Sequence, residues 1–181
     1  MDIISKTKLH FLEIFRENEN PPYTYLPRHV FEAEKWAKKI IEKYPEADRE
    51  VVLLSIWLHD VGQVIGENMD HAINSEDESR LFLPKIEISA TRIGEIVHCV
   101  RAHKCKDVQP KTLEAKILAV ANSVSHMTDF YYITMISRLS KETALRKFKK
   151  DCEIIKFLPG IEKEIKHFCL AWNELLKAYP D

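Results

Sequence analysis

The hydrophobic pattern of the chain is helical, and its strongest feature is an almost continuously apolar run at residues 51–62, VVLLSIWLHDVG. A helix that is apolar on nearly all sides belongs in the middle of a domain. The run ends in the adjacent titratable residues His59 and Asp60, which are costly to bury unless something compensates them. Imidazole and carboxylate groups both bind divalent metals, so the pair indicates a metal site beyond the end of a buried helix.

Apolar residues at three- and four-residue spacing predict helices along the rest of the chain, separated by breakers such as the NENPP segment. Asp48, Ser89 and Ser140 have side chains of the type that caps helix N-termini. No stretch predicts a convincing strand. The sequence therefore predicts an all-α helical bundle, a single domain over residues 1–181. Its predicted helices, about eight in number, cover roughly 4–16, 28–44, 48–60, 72–83, 90–104, 112–138, 140–157 and 161–179.

Charge and composition exclude several classes of protein. The net charge is −1, with 27 basic against 28 acidic residues, which predicts neither nucleic-acid nor anionic-membrane binding. No apolar run approaches the roughly 20 residues that span a bilayer. The four cysteines form no CxxC pair, and residues 1–15 are amphipathic rather than a signal peptide. We expect a soluble cytoplasmic protein with reduced thiols.

A polar stripe interrupts the apolar helix predicted at 112–138. Asn122, Asp129 and either Ser125 or His126 share one side of this helix, which indicates that this side faces a wet or metal-filled cavity. For each histidine the alternative is an ordinary packed or solvated residue, and Asn122 is equally well read as a packed core amide. The same cavity would collect histidines that stand near the ends of four other predicted helices: His29, His59, His71 and His103.

In this order and spacing the residues resemble the HD superfamily of metal-dependent phosphohydrolases. The resemblance rests on four segments: LPRHVFEAEKWAKKI, LLSIWLHDVGQ, DHAINSEDESRLFL and IVHCVRAHKCKDVQPKTLEAKILAVANSV. It covers about three-fifths of the chain and implies an HD-like core at about 23–130, with additional C-terminal helices over 131–181. The activity that it implies is hydrolysis of a nucleotide or another small phosphate ester.

The resemblance also implies roles for individual residues. A divalent ion, Mn, Fe, Ni, Co, Zn or Mg, would be bound by members of one set: His29, His59, Asp60, His71, His103 and Asn122. In relatives with a second metal, the residue at Asp60 bridges the two ions. Asp60 and His103 would be catalytic, and Gln63 would contact the substrate. Independently of the resemblance, Lys104 is a basic residue that could attract a phosphate at the cavity mouth and so contact the substrate. Divalent ions stabilise the negative charge that a phosphate ester carries into its transition state.

Two departures from the family pattern leave a second interpretation open. Asn122 stands where the family has its closing aspartate, so that its DAD sequence reads VAN here, and Gln63 replaces a frequent lysine. Asn122 is then a weaker ligand, or His126 is a substitute, or the site has lost its metal. The last option makes the protein a catalytically degenerate HD domain that binds a ligand or partner.

The C-terminal part carries weaker signals. The basic segment KETALRKFKK at 141–150 has acidic neighbours and predicts an ordinary surface helix. The aromatic residues Phe130, Tyr131 and Tyr132 predict core or dimer packing, which leaves a homodimer open. A nucleic-acid-binding module has no supporting motif.

Overall fold

The computed structural model describes residues 1–18, 24–65 and 70–180, and in these ranges the chain is helical with no strand. The all-α prediction is confirmed. The α-helices are α1 Ile3–Glu17, α2 Leu26–Ile41, α3 Arg49–Leu58, α4 Gly62–Ile65, α5 His71–Phe82, α6 Ala90–Ala102, α7 Leu113–Thr128, α8 Tyr131–Arg138, α9 Lys141–Ile155 and α10 Pro159–Ala178. A short 3₁₀ helix, Leu83–Ile86, follows α5.

The predicted N-caps are confirmed. The side chain of Asp48 accepts hydrogen bonds from the second and third residues of α3. Ser89 and Ser140 accept a backbone N–H in the first turns of α6 and α9. These bonds satisfy backbone donors that have no partner inside the helix, and each contributes about 1 kcal/mol.

The long helix predicted over 112–138 is in fact two helices, α7 and α8. Asp129 lies between them with an extended backbone (φ −107°, ψ −164°), and its Oδ1 accepts a 2.7 Å hydrogen bond from the N–H of Tyr131. This side-chain bond competes with helix continuation, as is usual for aspartate. The break was missed because the apolar pattern continues into the second helix.

Helix α3 forms the centre of the bundle, as its sequence predicts. Every residue of Val51–Leu58 is buried, and α1, α2, α6 and α7 pack around the helix. Fully burying one leucine or isoleucine contributes roughly 1.5–3 kcal/mol, so α3 fixes the positions of its neighbours firmly. Within the described ranges no helix combines the length and apolar character that crossing a bilayer requires.

The C-terminal helices complete one side of the bundle. Helix α9 packs against α7, α8 and α10, and its buried residues include Ala144, Phe148 and Asp151. The α9 helix therefore lies beside the part of α7 that carries Asn122 and His126.

Candidate metal centre

The ends of four helices bring the predicted histidines together. His29 lies in the first turn of α2, His59 and His103 are the C-cap residues of α3 and α6, and His71 is the first residue of α5. Two of these positions are helix C-termini, whose partial negative charge favours a cation. Residues that are up to 74 positions apart in the chain thus meet at one point.

Gly62 allows α5 to approach this point. A Cβ atom at this position would lie 2.2 Å from the carbonyl oxygen of His71 and 2.5 Å from the backbone nitrogen of Ser75. The backbone N–H of Gly62 also donates a 2.9 Å hydrogen bond to the Ser75 hydroxyl. A glycine two residues after Asp60 is therefore required for α5 to bring His71 against that carboxylate.

Two groups of potential metal ligands share Asp60. We call His29, His59 and Asp60 the first donor group, and Asp60, His71 and His103 the second donor group. Within each group the potential ligand atoms all lie within 4.8 Å of one another. These five residues form a possible metal site.

In the first donor group all three side chains are buried. The Nε2 atoms of His29 and His59 lie 3.6 Å and 3.4 Å from Oδ2 of Asp60. Oδ1 of Asn122 lies 2.9 Å from Nε2 of His29, so the amide stands beside the group where the sequence predicts it.

The second donor group faces the other oxygen of the same carboxylate. The Nε2 atoms of His71 and His103 lie 3.2 Å and 3.6 Å from Oδ1 of Asp60, and 3.2 Å from each other. His103 is buried, whereas the His71 side chain is 29% exposed. Each carboxylate oxygen therefore faces a different pair of imidazoles.

Hydrogen bonds behind the imidazoles orient them toward the centre. Nδ1 of His59 donates to the Ile56 carbonyl (2.7 Å), and Nδ1 of His103 donates to the Val100 carbonyl (2.6 Å). Nδ1 of His29 lies 3.1 Å from Oδ2 of Asp129. A proton held at Nδ1 leaves the lone pair of Nε2 directed at the centre, which is the outer support usual for metal-binding histidines.

The environment of His59 Nε2 indicates whether these residues fit a metal ion. Nε2 of His59 is buried, and it has no hydrogen-bond partner among the described residues. A buried nitrogen without a partner is unusual and costs free energy. A divalent ion coordinated by imidazoles and a carboxylate would remove that cost, and the donor set suits transition metals such as Mn²⁺, Co²⁺, Ni²⁺ or Zn²⁺.

Without a metal, the titratable groups of the centre have pKa values that are shifted in different directions. Burial raises the pKa of Asp60, but the charges of His59, His71 and His103 and a hydrogen bond from His71 outweigh it and hold the pKa well below its usual value. Burial and then the charge of His59 lower the pKa of His103. Burial lowers the pKa of His29 as well, yet its hydrogen bond to Asp129 and the nearby carboxylates raise it overall. A metal ion would therefore compete with a proton at His29.

A cavity of about 270 Å³ opens from the centre. Its walls include the predicted substrate contacts Gln63 and Lys104. They also include two lysines of α9, Lys147 and Lys150, and the tyrosine Tyr131, which sequence reasoning placed on the surface or in a packing role. The cavity thus joins a set of metal donors to a set of positive charges.

The α9 lysines were missed because the basic segment was read as an ordinary surface helix. One signal was present: Asp151 occupies the apolar stripe of α9 that Ala144, Phe148 and Ile155 form. A carboxylate on a buried stripe needs partners. Asp151 is fully buried and bonds to His126 Nδ1 (3.1 Å), Tyr132 Oη (2.8 Å) and Lys147 Nζ.

His126 belongs to neither donor group of the described residues. Its ring stacks on His29 with centroids 4.9 Å apart, and its Nδ1 is bonded to Asp151. Burial, followed by the charge of Lys147, lowers the pKa of His126 to about 4. The residue supports His29 from the side, and the structure lends no support to its substitution for the missing aspartate.

The fold and the centre together define an all-α protein with a possible histidine–aspartate metal site at converging helix ends. The model of the HD domain family matches residues 28–127, more than half of the chain, and the protein therefore belongs to the HD domain family. The resemblance noted in the sequence is confirmed.

One solved structure is similar over nearly the whole chain. It is a predicted HD superfamily hydrolase from an uncultured Thermotogales bacterium, with a TM-score of 0.61 and 18% sequence identity. The similarity covers 93% of this chain and 92% of that chain, and at this identity it shows the shared fold. Among proteins of curated function, none matches this chain.

Proposed function

We propose that the protein is a divalent-metal-dependent phosphohydrolase that acts on a nucleotide or another small phosphate ester. The observation that carries this proposal is the position of Asp60, whose two oxygens each face a separate pair of imidazoles. Membership of the HD domain family supports it. Divalent ions at such a site would stabilise phosphate charge and lower the pKa of an attacking water.

The residues of the chain have distinct roles in this proposal. Asp60 supplies one carboxylate oxygen to each donor group, and it remains ionised because its pKa is depressed. His103 directs a lone pair into the centre, where it accepts a hydrogen bond from water or binds the second ion. Gln63 and Lys104 line the cavity and bind phosphate oxygens, the amide by hydrogen bonding and the ammonium by charge.

Asn122 supports a second candidate, a degenerate HD domain that binds a phosphorylated ligand without hydrolysing it. Its neutral amide lies 2.9 Å from His29 Nε2, in the position where the family has a carboxylate. Loss of that negative charge weakens metal binding, and a protonated His29 would hydrogen-bond to the amide instead. The two candidates share the cavity and differ in whether metal is held tightly enough for turnover.

Phosphate release tests the proposal. Purified protein loaded with Mn²⁺, Ni²⁺ or Co²⁺ is assayed against a generic phosphoester and a panel of nucleotides, beside Asp60→Ala and the control Asp77→Ala. Asp77 is exposed on α5 and lies outside both donor groups. We expect hydrolysis by the wild type and by the control, and none by Asp60→Ala. Tight metal binding without release of phosphate from any compound would favour the degenerate domain.

A further inference from the structure

Helix α9 contributes positive charge to the cavity from outside the family-matched region. Lys147 and Lys150 are three residues apart, so they lie on one side of the helix, and both line the cavity. Lys104, which follows His103, is a third lysine in the same wall. Lys149 lies between the two on the same helix, is exposed, and does not line the cavity.

The three lysines differ in their partners. Lys104 Nζ lies 2.6 Å from Asp70 Oδ1, and Lys147 Nζ lies 2.5 Å from Asp151 Oδ1. Lys150 has no ion pair among the residues that the structure describes. Partial burial and then the charge of Lys147 lower the pKa of Lys150, with a smaller effect from Lys104. The cavity wall therefore carries a positive charge that no carboxylate of the described residues contacts directly, although Asp151 acts on it at longer range.

These lysines stand close to the first donor group but do not belong to it. Nζ of Lys147 lies 3.2 Å from Nδ1 of His126, whose ring stacks directly on His29. Lys147 is thus separated from His29 by one side chain, and Lys150 lines the same cavity. A phosphate group held at the donors would leave the α9 wall open to a second anionic group.

Asn122 also leaves the cavity with less negative charge than the family pattern would give it. The closing aspartate would bring a further carboxylate against His29, in addition to Asp60 and Asp129, whereas the amide brings no charge. Asp60 is then the sole carboxylate in the two donor groups. A ligand that carries more negative charge is correspondingly better matched to the cavity.

We propose that Lys147 and Lys150 form a subsite for a second phosphate group, so that the ligand carries two or more linked phosphates, as in a nucleoside di- or triphosphate. The subsite concerns only how the ligand binds. Whether the bound ligand is then hydrolysed rests on the proposed function. Charged hydrogen bonds from two ammonium groups would select it over a monophosphate.

Inorganic tripolyphosphate and orthophosphate are the probes. Their binding to the metal-free chain of 181 residues is measured by calorimetry for the wild type, Lys150→Glu, Lys150→Arg and the matched control Lys149→Glu. We expect Lys150→Glu to weaken tripolyphosphate binding about tenfold or more. Lys150→Arg retains binding, and Lys149→Glu changes it less than about twofold, because Lys149 does not line the cavity and solvent screens its charge.

Three results would overturn the subsite. The first is that the wild type binds tripolyphosphate no more tightly than orthophosphate, or not at all. The second is that Lys149→Glu weakens tripolyphosphate binding as much as Lys150→Glu does. The third is that Lys150→Arg loses binding like Lys150→Glu. Because Lys150 is exposed, none of these variants should unfold, and an unchanged thermal melt checks this.

The subsite and the hydrolase proposal fail separately. If no compound is hydrolysed but Lys150→Glu selectively weakens tripolyphosphate binding, the hydrolase proposal fails and the subsite stands. If esters are hydrolysed and Lys150→Glu raises the KM for a nucleoside triphosphate no more than Lys149→Glu does, the subsite fails and the hydrolase stands.

Discussion

The two donor groups share one carboxylate but differ in how firmly the protein holds their imidazoles. In the first, His29 and His59 are buried and each has its rear nitrogen fixed, by Asp129 and by the Ile56 carbonyl. In the second, His103 is fixed in the same way, whereas the His71 side chain is 29% exposed. A preorganised ligand loses less entropy on binding, so the first donor group should hold its ion more tightly.

Asn122 acts against that ranking. The amide stands next to the first donor group, and it lacks the charge that the family's aspartate supplies there. Outer-shell support is typically worth 10–100-fold in metal affinity. We expect the first donor group still to bind its ion more tightly, because His29 and His59 are preorganised. The missing charge of Asn122 should make the difference in metal affinity between the two groups smaller.

Removing Asp60 should weaken metal binding at both donor groups, and this is the largest expected effect. Asp60→Ala takes a ligand from both donor groups, so the affinity for both ions should fall by more than about 100-fold. Metal titration of Asp60→Ala and the exposed control Asp77→Ala measures this, with circular dichroism to confirm folding. Retention of one tightly bound ion by Asp60→Ala would show that the carboxylate does not bridge.

Removing one imidazole from each donor group tests the ranking directly. His29→Ala should weaken the tighter ion by about 100-fold, and His71→Ala should weaken the other by about tenfold, because His71 is the less firmly held ligand. Two-step titration with Co²⁺ separates the two events. His29→Gln, which fills the same space, controls for collapse of the buried site. The opposite order would refute the argument from preorganisation.

Restoring the family's carboxylate at position 122 should increase the difference in metal affinity between the two donor groups. Asn122→Asp places a carboxylate beside His29 Nε2, so the affinity of the first donor group should rise by about tenfold. Asn173 of α10 lies away from the cavity walls, and Asn173→Asp, which makes the same change of amide to carboxylate there, is the matched control. An unchanged metal affinity in Asn122→Asp would mean that this residue is not a ligand, and would favour the packed-amide interpretation.

Acid should destabilise the surroundings of the first donor group through His126, which is the smallest effect. Its pKa is about 4 in the folded protein against 6.5 when unperturbed, so between these values the unfolded chain binds a proton that the folded chain refuses. Stability is therefore lost as the pH falls through this window. From pH 7 to pH 5.5, metal-free wild type should lose about 1 kcal/mol more than His126→Gln in urea unfolding. Equal losses would contradict the assignment.

The convergence of the histidines on Asp60 was predicted from the sequence better than the surroundings of this cluster were. His59 and Asp60 were identifiable because two titratable residues end an apolar run, and His29 because it lies at the start of a helix with a clear inner stripe. The family resemblance supplied their order. The assignment of each as a ligand or catalytic residue stays a prediction.

Two features could not be predicted from the sequence: the position of Lys147 and Lys150 in the cavity wall, and the helix break at Asp129. Both have a physical reason. The positions of Lys147 and Lys150 depend on how α9 packs against α7 and α8, and helical spacing within α9 contains no information about that packing. The break depends on one side-chain hydrogen bond, from the Tyr131 N–H to Asp129, that competes with the next helical turn. Asp129 was expected to face the cavity, and it instead supports His29 from behind.

The number of ions held by the wild-type protein tests the central claim most directly. Protein stripped with a chelator is reloaded with Co²⁺ or Mn²⁺, passed through a desalting column and analysed for metal content per chain. Convergence of imidazoles on Asp60 predicts one ion that survives the column and a second that is retained only at higher free metal. A folded protein that binds neither ion at any metal concentration would contradict the account.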